Sequence, residues 1–130
     1  MLEDTVVITG ECYNLFKQVL EQYECAVQDI MVLHTYTYTI TSANDKNHSI
    51  NSLHYKNKAI DVRINDIPTR DSYRKKLLEA IALMLGSIFI DFVFILHLYD
   101  GKNHLHIQHG RDNIISFDNA IGENKNVFIK

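Results

Sequence analysis

Histidine is the commonest metal ligand in proteins, and histidines are concentrated in two short stretches of this 130-residue sequence. Five of the seven histidines fall there, at His48, His54, His104, His106 and His109. Asp61 follows His54 by seven positions, so the chain supplies both imidazole nitrogens and a carboxylate. Such a set suits a zinc ion with three protein ligands, which leaves the fourth coordination position for water, as in catalytic sites.

For any one of these histidines, the simpler interpretation is a solvated surface residue without a chemical role. The surroundings of Asp61 favour a metal site, because Ile60 and Val62 place its carboxylate in an apolar context where an unpaired charge is costly. A bound cation would offset that cost. His104 and His106 are two residues apart, so in a strand both lie on the same face and can point into one site.

The elements expected to position these residues begin with a helix over Gly10–Gln28, where apolar residues recur at spacings of three and four. Threonines alternate with larger side chains from Met31 to Thr41, which predicts a strand with two distinct faces. The polar stretch Ser42–Ser52 predicts a surface loop. A short strand over Ala59–Ile64 is then expected to carry Asp61.

A second helix is predicted to start with Thr69 or Asp71 as its cap and to end at Gly86. The apolar run Phe92–Leu98 and the segment His104–Gln108 flank an Asp-Gly turn signal, which predicts an antiparallel hairpin. The last twenty residues are polar with scattered apolar anchors, and no element is assigned to them. The expected fold is α+β, a small antiparallel sheet with helices packed on one side.

Composition narrows the classes of protein to which the chain can belong. Apolar residues make up 46% of the sequence and charged residues 22%, as in a globular protein, and the length fits one domain over residues 1–130. Thirteen basic and sixteen acidic side chains give a formal charge of −3, which disfavours nucleic acid as a partner. No apolar run is long enough to span a membrane, and the acidic N-terminus is unlike a signal peptide, so cytoplasmic synthesis is expected.

Two motifs carry a family resemblance. The first is Ser52-Leu53-His54 followed by Ala59 and Asp61, and the second is His104-Leu105-His106. With these motifs, the segment from Thr39 to Gln108 resembles the zinc peptidases of the D-Ala-D-Ala carboxypeptidase and dipeptidase group, whose pattern the hedgehog signalling domain shares. The resemblance implies the α+β fold of that group and a bound Zn²⁺.

The resemblance also implies a role for each residue of the site. His54, Asp61 and His106 correspond to the zinc ligands. Asp100 corresponds to the acidic residue before the late motif, which acts as general base and takes a proton from the attacking water. His48 and His104 correspond to pocket residues that would hydrogen-bond the tetrahedral intermediate, where negative charge develops.

Two positions depart from the family pattern. The active peptidases have glutamate where this chain has Asp100, and a side chain shorter by one carbon–carbon bond reaches about 1.5 Å less far. Either the hairpin shifts inward to compensate, or activity is reduced. Asn57 stands where the family usually has glycine, and because Asn tolerates positive φ the turn can survive.

The resemblance implies a zinc-dependent peptidase whose substrates are short peptides containing D-amino acids, such as the stem peptides of bacterial peptidoglycan. The resemblance fits an endolysin, a carboxypeptidase or a dipeptidase. Such an enzyme can be encoded by a phage and delivered to the cell wall or carried in the virion, or it can act in a bacterial cytoplasm. Two alternatives stay open. One is a zinc-binding module that is weak or inactive in catalysis, and the other is a phage structural component with neither metal nor activity.

Overall fold

Two helices and five strands form the part of the chain that the computed structural model describes, which is residues 2, 6–43, 58–98, 103–111, 120–121 and 124–130. In chain order they are α1 (Gly10–Ile30), β1 (Ile40–Ser42), β2 (Ala59–Arg63), α2 (Asp71–Ile88), β3 (Phe92–His97), β4 (His104–His109) and β5 (Val127–Ile129). Neither of these two helices has an apolar stretch long enough to cross a membrane.

The five strands form one sheet in the order β1-β2-β4-β3-β5. The pairs β1–β2, β2–β4 and β3–β4 are antiparallel, as predicted, and β3–β4 is the predicted hairpin. β5 instead runs parallel to β3. The α+β class is therefore confirmed, but the expectation of a purely antiparallel sheet is wrong, because a strand from the polar C-terminal segment joins the edge in the other direction.

Alternation along the central strands gives the sheet two chemically different faces. On one face, apolar side chains of β2, β3 and β4 join both helices in a single core, among them Ile60, Val62, Phe94, Leu96, Leu105 and Ile107. The opposite face carries a smaller apolar cluster of Val93, Ile95 and Phe128. Beside that cluster lie Asp61 and three histidines, His97, His104 and His106. In the described residues both helices thus share their core with one face only, which leaves the other for polar side chains.

Helix α1 forms as predicted and is two residues longer at its C-terminal end. Its start is capped by Thr9, whose hydroxyl oxygen accepts a hydrogen bond from the backbone N–H of Cys12 at 3.1 Å. The buried side chains lie three or four residues apart, which is the spacing of one helical stripe: Cys12, Phe16, Val19, Leu20, Tyr23 and Val27.

The strand predicted from Met31 to Thr41 is wrong for most of its length, since only Ile40–Ser42 pairs with a neighbour. The backbone N–H of Tyr36 donates to Gln28 Oε1 at 2.7 Å, and that of Tyr38 donates to Glu24 Oε1 at 3.0 Å. These donors are therefore satisfied by side chains of α1 instead of by a neighbouring strand. A segment with alternating side chains does not form a strand when its backbone N–H groups bond to side chains of another element instead of to a neighbouring strand.

Helix α2 extends past the residue predicted to end it. It starts at Asp71 after Arg70, which provides no side-chain cap, so neither predicted cap is correct. Gly86 lies inside the helix and is buried, where an added Cβ would meet Val127 Cγ2 at 2.6 Å and Asn124 Nδ2 at 2.8 Å. The missing side chain allows α2 to approach β5 closely, which is a packing role and not the helix-ending role predicted for it.

We expect Gly86→Ala to lower the free energy of unfolding by about 1–3 kcal/mol, because the new methyl group overlaps the stiff, β-branched side chain of Val127. Gly10→Ala is the matched control, since apart from its chain neighbours and the backbone of its own helix, no atom of the described residues lies within 4 Å of a Cβ added there. The control should leave stability unchanged or raise it by up to about 1 kcal/mol. Urea unfolding measures both, and equal stabilities of Gly86→Ala and wild type would contradict the close approach of α2 to β5.

Candidate metal centre

The pairing of β2 with β4 brings together two of the residues singled out from the sequence. Asp61 lies directly opposite His106 in the antiparallel register, so their side chains share a face. Asp61 Oδ1 is 3.0 Å from His106 Nδ1. Their side chains are 16% and 15% exposed, so both are largely shielded while still reachable from solvent. The contact is built by the sheet ladder, from residues 45 positions apart in the chain.

His104 lies on the same face as His106, as the two-residue spacing predicts. Its Nε2 is 3.8 Å from Asp61 Oδ1, and its side chain is 26% exposed. That separation is too long for a hydrogen bond but short enough for an electrostatic interaction when the ring is protonated. His104 therefore flanks the pair of Asp61 and His106 without being bonded to the carboxylate.

His97 also belongs to this cluster, although the sequence analysis treated it only as part of an apolar run. It lies opposite His104 in the β3–β4 hairpin. The two rings stack with their centroids 4.4 Å apart and their planes 22° apart, and the ring of His97 meets that of His106 edge-on at 6.1 Å. Pairing the two arms of the predicted hairpin residue by residue is the signal that would have found it.

Gln108 is the second functional candidate that the sequence analysis missed. It lies two residues after His106, hence on the same face of β4, and is only 4% exposed. Its Oε1 is 2.9 Å from His106 Nε2, and its Nε2 donates to the carbonyl oxygen of Gly110 at 2.9 Å. Both nitrogens of the His106 ring thus have a polar neighbour within hydrogen-bond distance.

Apolar side chains border the polar cluster on one side. Ile95 lies directly opposite His106 on β3, and it packs with Val93 and Phe128 in a cluster whose members are at most 4% exposed. Excluding water from one side of the site lowers the local dielectric constant and strengthens the interaction of Asp61 with any cation beside it.

The environment of His97 alters its acidity. Burial, reinforced by the electrostatic effect of His104 and of His106, lowers the pKa of His97 from 6.5 to about 4. Lys130 acts in the same direction, and Asp61 opposes the shift. The His97 ring is therefore neutral at pH 7 and stacks on His104 as an uncharged aromatic group.

The remaining residues singled out from the sequence, His48, His54 and Asp100, lie outside the described residues. Across the parts of the chain that the structure does describe, no three His, Cys, Asp or Glu side chains converge closely enough to hold a metal ion. Of the three expected zinc ligands, the described residues thus include Asp61 and His106, whereas His54 lies outside them.

Comparison with known proteins yields no relative: no family model, no curated protein and no solved structure matches this chain significantly. The resemblance to zinc D-Ala-D-Ala peptidases therefore stays a prediction that depends on the two motifs.

The lowered pKa of His97 predicts a pH-dependent stability. As the pH falls below 6.5 the unfolded chain takes up a proton on this ring before the folded protein does, so the free energy of unfolding should fall from about pH 7 toward pH 4. His97→Phe keeps a ring beside His104 but cannot take the proton, so its stability should fall less over that range. Urea unfolding in the presence of a chelator measures this, and equal pH dependences of the two proteins would contradict the shift.

Proposed function

We propose that this protein is a zinc-dependent peptidase whose metal is held by His54, Asp61 and His106. The observation that carries the proposal is the separation of 3.0 Å between Asp61 Oδ1 and His106 Nδ1. Two ligand atoms of a tetrahedral zinc ion, each about 2.0–2.1 Å from the metal, lie about 3.3 Å from each other. The pair therefore fits one edge of such a site after a small adjustment, with the oxygen and nitrogen donors that zinc accepts.

The third ligand of the proposal is His54, which the Ser-x-His motif supplies seven positions before Asp61. Three protein ligands and a partly exposed site are typical of catalytic zinc, which keeps one position for water or substrate. When bound, zinc supplies a Lewis acid that polarises the scissile carbonyl and makes a water molecule more acidic. A closed structural site would instead need a fourth protein ligand.

The other residues of the proposal take the roles that the family resemblance implies for them. Asp100 accepts a proton from the attacking water and passes it to the leaving amine. His104, beside the pair and held against the neutral ring of His97, donates a hydrogen bond to the oxygen on which negative charge develops, together with His48. The substrates proposed, peptides with D-amino acids from peptidoglycan stems, rest on the family resemblance of the two motifs.

A second candidate function is a zinc-binding module with weak or no catalysis, such as a component of a phage particle. The observation that favours it is the aspartate at position 100, where active members of the group have glutamate. A base that is too short impairs proton transfer without affecting the metal ligands, so this candidate shares the metal centre and differs only in turnover.

The metal centre predicts that purified protein binds about one Zn²⁺ per chain and that His106→Ala abolishes this stoichiometric binding. His109→Ala is the matched control, because His109 lies on the same strand, where its ring packs edge-on against Phe92 at 5.0 Å, and three positions from His106 it faces the other side of the sheet. The control should retain the metal. Elemental analysis and calorimetric titration with Zn²⁺ measure both variants, with folding checked by circular dichroism.

Two results would contradict the metal centre. The first is wild-type protein that stays free of metal after chelation and reconstitution with Zn²⁺. The second is a folded His106→Ala variant that binds Zn²⁺ as tightly as wild type, which would place the ion elsewhere in the chain.

The catalytic proposal predicts that Asp100→Ala keeps its zinc and lowers hydrolysis by about 10²–10⁴-fold, the usual contribution of a positioned general base. Asp100→Glu restores the length found in the family and should raise the rate by up to about 100-fold if reach is limiting. Release of new amines from purified peptidoglycan measures all three proteins at equal zinc content. Unchanged hydrolysis by Asp100→Ala would refute the base assignment, and zinc without hydrolysis in wild type would favour the inactive module.

A further inference from the structure

A series of hydrogen bonds along β4 ends at a backbone carbonyl. This last acceptor determines which atom donates in each hydrogen bond of the series. Gln108 Nε2 lies 2.9 Å from the carbonyl oxygen of Gly110. A carbonyl oxygen can only accept, so the NH₂ end of the Gln108 amide must face Gly110. The other end, Oε1, then faces His106 Nε2 at 2.9 Å.

The orientation of the amide determines where the proton of His106 resides. Gln108 Oε1 can only accept, so His106 Nε2 must carry the hydrogen that joins them. A neutral imidazole has one N–H and one lone pair, which leaves the lone pair on Nδ1. That nitrogen is 3.0 Å from Asp61 Oδ1, which also carries lone pairs. Two acceptor atoms at this distance repel each other unless a cation or a second ring proton lies between them.

The last acceptor of this series, the carbonyl group of Gly110, is itself held in place by the backbone. Gly110 adopts φ +86°, a conformation that residues with a side chain rarely adopt, and its backbone N–H donates to the carbonyl oxygen of Asp91 at 2.8 Å. Gln108 is buried at 4% exposure, so competing water has little access to its amide. The acceptor presented to His106 is therefore positioned by the backbone at the end of β4 and not by a freely rotating surface side chain.

We propose that Gln108 is a positioning residue that keeps the Nδ1 lone pair of His106 directed at the metal. The inference rests on the proposed metal centre and deepens it, because it names the outer contact that makes one nitrogen of the ring, and not the other, the ligand. Hydrogen bonds from a ligand histidine to such outer partners hold the ring orientation and raise its basicity, and their removal typically weakens metal binding about 10–100-fold.

The test compares wild type with Gln108→Leu and Gln108→Glu. Leucine is apolar and cannot accept a hydrogen bond, whereas glutamate keeps an acceptor for His106 Nε2. The first measurement is the tautomer of His106, from the ¹⁵N chemical shifts of its ring in chelator-treated protein at alkaline pH. The second is the affinity for Zn²⁺, from competition with a chelator of known affinity.

We expect the Nε2–H tautomer in wild type and in Gln108→Glu, and a shift toward the Nδ1–H tautomer in Gln108→Leu. Affinity for Zn²⁺ should fall about 10–100-fold in Gln108→Leu and stay within about 10-fold of wild type in Gln108→Glu. An Nδ1–H tautomer in wild type overturns the inference even if no variant folds. It is also overturned if Gln108→Leu keeps both the Nε2–H tautomer and wild-type affinity.

The two proposals fail in different ways. If wild type does not bind Zn²⁺, the metal centre is refuted, and the inference that Gln108 serves a metal is refuted with it, whatever the tautomer. If wild type binds Zn²⁺ through His106 but the Gln108→Leu variant has an unchanged affinity, the metal centre stands and only the positioning role of Gln108 is lost.

Discussion

The register of β2 against β4 is the constraint on which the contacts of Asp61 with His106 and His104 depend. Side chains alternate across a strand, so a slip of one residue would turn Asp61 into the helix-packed core and expose Ile60 in its place. Burying the carboxylate among apolar side chains would be costly. The same apolar residues that form the core therefore also hold Asp61 opposite His106.

One face of the sheet needs apolar side chains for the core and the other carries polar side chains, and the alternation along the strands provides both. Helices α1 and α2 cover the apolar face, and this shared core supplies the stabilisation. The other face brings three histidines and a carboxylate close together, with one histidine buried enough to remain neutral at pH 7. Such crowding of groups that carry like charge when protonated weakens a fold unless a partner compensates it, so clusters of this kind are typical of binding sites.

The parts of the fold that could be predicted are those that follow from the pattern of residues within one short segment of sequence. The stripe of α1, the hairpin of β3 and β4 and the strand that carries Asp61 follow from periodicity within one segment. The motifs likewise placed Asp61 with His106. Segments decided by distant partners could not be predicted in this way: Gln28 and Glu24 bind the backbone after α1, and the three residues of β5 become a strand only beside β3.

The same limit explains the residues missed in the site. His97 looks apolar by its neighbours in sequence, and only the pairing of β3 with β4 shows that it faces His104. The same holds outside the site for Gly86. Glycine often ends helices, but Gly86 instead allows the close approach of Val127, a residue from the far end of the chain. In each case the decisive neighbour belongs to another element, so spacing within one element contains no information about it.

In the proposed function, metal binding and catalysis depend on different parts of the β3–β4 hairpin. Asp61 and His106 are held by ladder pairing, whereas position 100 belongs to the segment that connects His97 to His104. The ladder that holds Asp61 opposite His106 pairs residues 59–63 with residues 104–108 and does not include that connection. Under the proposed function, substitutions at the connection can therefore change turnover in descendants of such a chain while the sheet that binds the metal is inherited unchanged, so the evolutionary histories of binding and turnover are free to diverge.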